Sequence, residues 1–136
     1  MKTLVTYLVE DNPTILDNLI ETLREIADVE VMAHAATQME AIRWLQQHDG
    51  KWHLAIVDLF LKEGNGLGIL VECRKRAAYQ KVVVLTNYAT LDIRLRAAQL
   101  GADKVFDKST ELDSLFAYCA HQAMELNKPP QLKTKH

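Results

Sequence analysis

The chain has 136 residues and a mass of 15.4 kDa, with 49% hydrophobic residues, 25% charged residues and a formal net charge of −2. That length suits one domain able to bury roughly two-thirds of its unfolded surface. The near-neutral charge argues against a general nucleic-acid or membrane surface, and no apolar run reaches the about 18 residues of a membrane span. Cys73 and Cys119 lie far apart with no second Cys or His at metal spacing, so they read as packed, reduced thiols of a cytoplasmic protein.

The opening stretch "MKTLVTYLVEDN" has one lysine and no small-residue cleavage site, so it reads as a first strand over 3–9 rather than a leader. Two acids, Glu10 and Asp11, end it. Ile15, Leu16, Leu19, Ile20, Leu23 and Ile26 then follow the i, i+3, i+4 spacing of an amphipathic helix. A second strand is expected over 29–35. "TQME" follows, a capping box of Thr37 and Glu40 that opens a helix carrying Met39, Ile42 and Leu45. The third strand, "WHLAIVD" over 52–58, ends in Asp58. The turn "KEGNG" leads from there to a helix with Leu67, Leu70, Val71 and Arg74. A fourth strand over 81–86 ends in Thr86, and Leu91 to Leu100 form a helix stopped by Gly101. The fifth strand, 103–107, precedes Lys108. The last helix carries Leu112, Leu115, Phe116, Cys119 and Ala123, with Ser109 or Thr110 expected as its N-cap. Residues 1–126 thus make one domain, and 127–136, "NKPPQLKTKH" from Asn127 onward, read as a disordered basic tail.

Five strand–helix units with right-handed crossovers predict an α/β, (βα)5 three-layer sandwich with a parallel sheet of order 2-1-3-4-5. Three strands are almost wholly apolar, as strands covered on both faces are. In such sheets ligands bind beyond the carboxyl ends of the strands. Those ends carry Glu10 and Asp11, Asp58, Thr86 and Lys108, and the order makes them neighbours. Three converging carboxylates repel one another unless a cation joins them. Mg²⁺ takes such oxygen ligands while keeping several waters. A divalent ion and the Lys108 ammonium could together hold a dianionic phosphoryl group, with Asp58 as the nucleophile. Taken singly, Glu10-Asp11 could instead cap the first helix, Thr86 could be a mere β-former and Lys108 a surface lysine.

The stretches "YLVEDNP", "LAIVDLFLKEGNGLGIL", "VVVLTNYAT" and "LGADKVFDKS" resemble the receiver domains of two-component response regulators, CheY-like proteins with a flavodoxin-like fold, over residues 1 to about 126. The resemblance implies that Asp58 is the phosphoacceptor and that Glu10 and Asp11 serve Mg²⁺. Asp11, Asp58 and the backbone carbonyl of Phe60 would be direct ligands. Thr86 and Lys108 would contact phosphoryl oxygens, and Thr86 and Phe106 would form the conformational switch. Phe60 and Tyr88 would flank the hydrolytic water and modulate dephosphorylation. Three residues depart from the family pattern: Lys62 and Ser109 stand where prolines are usual, and Asn87 where a small residue is usual.

The implied function is that of a stand-alone response regulator. It would take its phosphoryl group from a sensor histidine kinase or phosphotransfer protein and signal to a protein partner through the fourth helix, fifth strand and fifth helix. No direct nucleic-acid or membrane contact is expected, and a homodimer is left open. It would not be an enzyme beyond Mg²⁺-dependent self-phosphorylation and slow autodephosphorylation. The alternative is a phosphorylation-independent interaction module. A haloacid-dehalogenase-type phosphatase needs an Asp two residues past the nucleophile, where Phe60 stands. A flavodoxin-type phosphate loop would be repelled by Glu10-Asp11.

Overall fold

Strands and helices alternate along residues 2–129, the part of the chain described by the computed structural model. They are β1 (Leu4–Val9), α1 (Pro13–Arg24), β2 (Val29–Ala35), α2 (Gln38–Gln47), β3 (Leu54–Val57), α3 (Gly66–Cys73), β4 (Lys81–Thr86), α4 (Leu91–Gln99), β5 (Lys104–Asp107) and α5 (Leu112–Leu126). The strands form one parallel sheet in the order β2-β1-β3-β4-β5, as the alternation of patterns predicted.

Side-chain alternation divides the core into two layers. Ala55 and Val57 of β3 and Val82 and Val84 of β4 face α2, α3 and α4, where they meet Ala41, Leu45, Ile69, Leu70 and Ala97. Leu54, Ile56, Val83 and Leu85 face α1 and α5, against Leu19, Leu23, Leu115 and Cys119. With both faces covered, β3 and the middle of β4, Val82 to Leu85, are apolar. Edge strand β2 instead alternates, exposing Glu30, Met32 and His34. Cys73 and Cys119 are buried free thiols, and burial pushes both up to about 12.

Helix starts follow from local chemistry. Asn12 caps α1 by accepting from the Thr14 and Ile15 N–H groups, with Pro13 at the first helical position. The acids before it are therefore not needed as caps. Thr37 caps α2 through the Glu40 N–H as expected. At α5 the expectation fails. Glu111 is the cap residue and makes no side-chain cap bond, while the Ser109 and Thr110 N–H groups donate to Asp107 Oδ1. The Glu111 carboxylate is drawn instead to Arg94 Nη2 at 2.7 Å and to the Asp107 N–H at 2.9 Å, which lowers its pKa. Of the expected basic tail, Asn127 to Pro129 are described. Asn127 exchanges hydrogen bonds with the Lys2 backbone. Residues 130–136 lie outside the described residues.

Candidate functional site

Because all five strands run the same way, Glu10, Asp58, Thr86 and Lys108 reach one edge of the sheet. Ladder bonds continue past the strands and hold their backbones there. The Asp58 N–H donates to Val9 O at 3.0 Å, the Glu10 N–H to Ala35 O at 3.0 Å and the Lys108 N–H to Thr86 O at 2.9 Å. Gly66 starts α3 hard against Asp58. A Cβ there would meet the Leu59 Cα at 2.7 Å as well as the Asp58 carbonyl, so only glycine lets the helix follow so closely.

Glu10, Asp11 and Asp58 each offer a carboxylate oxygen, and the three lie within 4.8 Å of one another. Glu10 and Asp58 are buried, and Asp11 is half-buried. Lys108 Nζ sits between two of them, 2.9 Å from Asp58 Oδ2 and 2.5 Å from Glu10 Oε1. Asp58 Oδ1 accepts from the Phe60 N–H at 3.0 Å and Asp11 Oδ2 from the Lys62 N–H at 2.5 Å. Burial raises the Asp58 pKa; Lys108 and the Phe60 N–H pull it back only in part, and Glu10 adds to the rise. For Lys108 burial acts downward, but the negative charges of Glu10 and Asp58 against it outweigh burial and raise its pKa.

One ammonium faces three carboxylates. Glu10 Oε1 is fully enclosed, and its contact with Lys108 lacks the angles of a directed hydrogen bond. An all-oxygen set with such spare acceptor capacity fits a hard divalent cation. Thr86 is buried at the end of β4, and its Oγ1 accepts from the Tyr88 N–H at 3.1 Å. Its own proton remains free to donate.

The structure also joins Phe60 and Tyr88, which the sequence offered only as separate positions. Their rings meet edge to face, 4.9 Å between centroids, and both are exposed. Each lies two residues past a strand-end site residue on adjacent strands.

Phe106 requires a correction. It pairs with Leu85, and Thr86 with Asp107. The Phe106 ring belongs to the layer against α1 and α5, edge to face on Tyr118 at 5.8 Å. Thr86 follows Val82 and Val84 onto the opposite face. Phe106 could not turn in beside Thr86 without crossing the sheet. Val105, which packs against the α4 layer, stands on the Thr86 side. The Lys108–Ser109 bond is trans, since no cis peptide occurs among the described residues, and Lys108 still reaches both acids.

The family model of the response regulator receiver domain matches residues 6–120, and the chain belongs to that family. It is 32% identical over 115 residues to the alginate biosynthesis transcriptional regulatory protein AlgB of Pseudomonas aeruginosa, covering 85% of this chain and 25% of that protein. It is 26% identical over 124 residues to the photosynthetic apparatus regulatory protein RegA of Cereibacter sphaeroides, covering 91% and 65%. The chain thus spans about a quarter of AlgB's length. Among solved structures, the response regulator domain of Thermotoga maritima CheB superposes with a TM-score of 0.75 at 18% identity, covering 95% of this chain and 100% of that one. The Mn²⁺-bound form of response regulator Rcp1 gives 0.71 at 24%, covering 96% and 99%. No helix of the described residues is long and apolar enough to cross a membrane.

Proposed function

We propose that the chain is a Mg²⁺-dependent phosphoacceptor that takes a phosphoryl group on Asp58 from the phosphohistidine of a sensor kinase or phosphotransfer protein. The observation that carries this reading is Lys108 bridging Asp58 and Glu10 beside Asp11, one ammonium among three clustered carboxylates. Asp11, Asp58 and the Phe60 carbonyl would hold the cation, with Glu10 behind them. Its positive charge would offset the negative charge gathered on the carboxylates and the phosphoryl oxygens.

In the transfer, an Asp58 carboxylate oxygen forms the new O–P bond as the N–P bond of phosphohistidine breaks. The bonding pair returns to the imidazole nitrogen. Asp58 is rigid because the Val9 ladder bond and the Phe60 N–H fix both its backbone and one oxygen. Lys108 can follow charge from the carboxylate to the arriving phosphoryl oxygens, and the Thr86 hydroxyl can donate to another of them. Phosphoryl transfer asks mainly for this kind of positioning and neutralisation. Phe60 and Tyr88 would restrict the approach of water and so lengthen the lifetime of the product.

The output would be read in the cytoplasm by a protein partner on the face of α4, β5 and α5, where Leu91 and Leu95 are exposed. The second reading, a phosphorylation-independent interaction module, draws support from Asn87 and Ser109, which depart from the family pattern on either side of the site. Acetyl phosphate with Mg²⁺ separates the two. The first requires a base-labile mass gain of one phosphoryl group, lost in Asp58→Ala; an unmodified chain sinks it and leaves the second. Phosphotransfer profiling against the sensor kinases of the source organism then identifies the donor.

A further inference from the structure

The loop from Leu59 to Asn65 carries Phe60 and Lys62 past the site, and residue 38 grips its far side. The Gln38 N–H donates to Glu63 O at 3.2 Å, and Gln38 Oε1 accepts from the Asn65 N–H at 2.9 Å. These two bonds straddle Gly64, whose φ of +81° is open to glycine but strained for other residues. Asn65 in turn caps α3 through the Gly68 N–H at 3.2 Å. The Gln38 side chain lies flat over Gly64 and Gly68, since a Cβ on either would run into it. Thr37, by capping α2, holds residue 38 at the first helical position, where both its backbone and its amide reach the loop.

We propose that Gln38 is a positioning residue for the metal and phosphoryl site: its amide holds the 59–65 loop closed and thereby keeps the Lys62 N–H on Asp11 Oδ2. The inference rests on the reading that these carboxylates bind a divalent cation. Asp11 is the most exposed of the three acids, and the Lys62 N–H is the hydrogen bond that orients its carboxylate. With the loop released, Asp11 and the Phe60 backbone would have to be ordered at the moment the cation binds, and that ordering weakens affinity.

The test uses the full chain and Mg²⁺ alone, followed by amide NMR shifts of residues 58–65. Gln38→Ala should weaken Mg²⁺ binding by roughly ten-fold, the low end for groups that orient a ligand from outside the first sphere. Gly68→Ala should weaken it similarly, although alanine is the better helix former, because its methyl group displaces the Gln38 amide. The double variant Gln38→Ala with Gly68→Ala should be no weaker than Gln38→Ala alone, since the displaced group is gone. In both single variants the Lys62 and Asn65 amides should lose hydrogen-exchange protection while those of the central strands keep theirs. Wild-type affinity in both single variants overturns the role of Gln38 and leaves the proposed function standing. A wild-type chain that binds no Mg²⁺ overturns the proposed function and this inference with it.

Discussion

Lys108 Nζ rests 2.9 Å from Asp58 Oδ2, with less than a tenth of either side chain exposed. Two buried opposite charges account for only part of the site, since Glu10 and Asp11 add two more acids beside them. Removing an acid that the ammonium does not touch should therefore relieve repulsion rather than break a pair.

That reasoning makes Asp11→Ala a folded protein. Its stability without divalent ions should lie within about 1 kcal/mol of wild type or above it, while Mg²⁺ binding and acetyl-phosphate labelling are lost. Urea unfolding and labelling of the same sample check both halves. Labelling at the wild-type rate would show that Asp11 is not a metal ligand.

Phe106 should behave as a core residue. Phe106→Leu removes ring contacts with Tyr118 and the α5 layer and should cost about 1–2 kcal/mol of stability. Beryllofluoride, a phosphoryl mimic, should still shift the amides of residues 86–120 in this variant as in wild type, because the ring is not on the Thr86 face. Loss of those shifts in a well-folded Phe106→Leu would restore the ring to the switch.

The lifetime of the phosphorylated form should depend on the Phe60–Tyr88 pair. Neither side chain carries a carboxylate or amide to orient a water. Phe60→Asn combined with Tyr88→Glu should speed loss of phosphate roughly ten-fold, equal to about 1.4 kcal/mol of barrier. The measurement is decay of the labelled protein in Mg²⁺ buffer with no kinase present; equal decay rates would mean that the rings do not screen the site.

A pH dependence independent of the site is expected from His53, just before β3. Its Nδ1 accepts from the Val5 N–H at 2.8 Å, which a proton on that nitrogen would prevent. Burial first, and the Lys2 charge second, hold its pKa below the ordinary 6.5. The unfolded chain then takes up the proton before the folded one. The contribution of His53 to stability is complete above 6.5 and is lost as pH falls from there through the lower folded value. Urea midpoints between about pH 7.5 and 5.5 should fall more steeply in wild type than in His53→Gln. Parallel profiles would remove His53 as the cause.

Much of this protein was legible in the chain itself. Apolar runs covered on both faces, separated by stretches of helical period, determine the parallel α/β sheet, because burial and backbone hydrogen bonding leave few other arrangements. The strand-end positions of Glu10, Asp58, Thr86 and Lys108 follow directly, since a parallel sheet brings all such ends to one edge. What the chain did not reveal depends on register and on contacts between distant segments. Whether Phe106 or Val105 shares a face with Thr86 turns on a one-residue choice in pairing β4 with β5, and a slip of one flips every side chain. Local hydroxyls made Ser109 and Thr110 the natural caps for α5, but Asp107 takes their N–H groups and Arg94 draws Glu111 away. Gln38 lies on a different element from the loop it grips, 27 positions from Asn65, and only the packing of α2 beside α3 brings the two together.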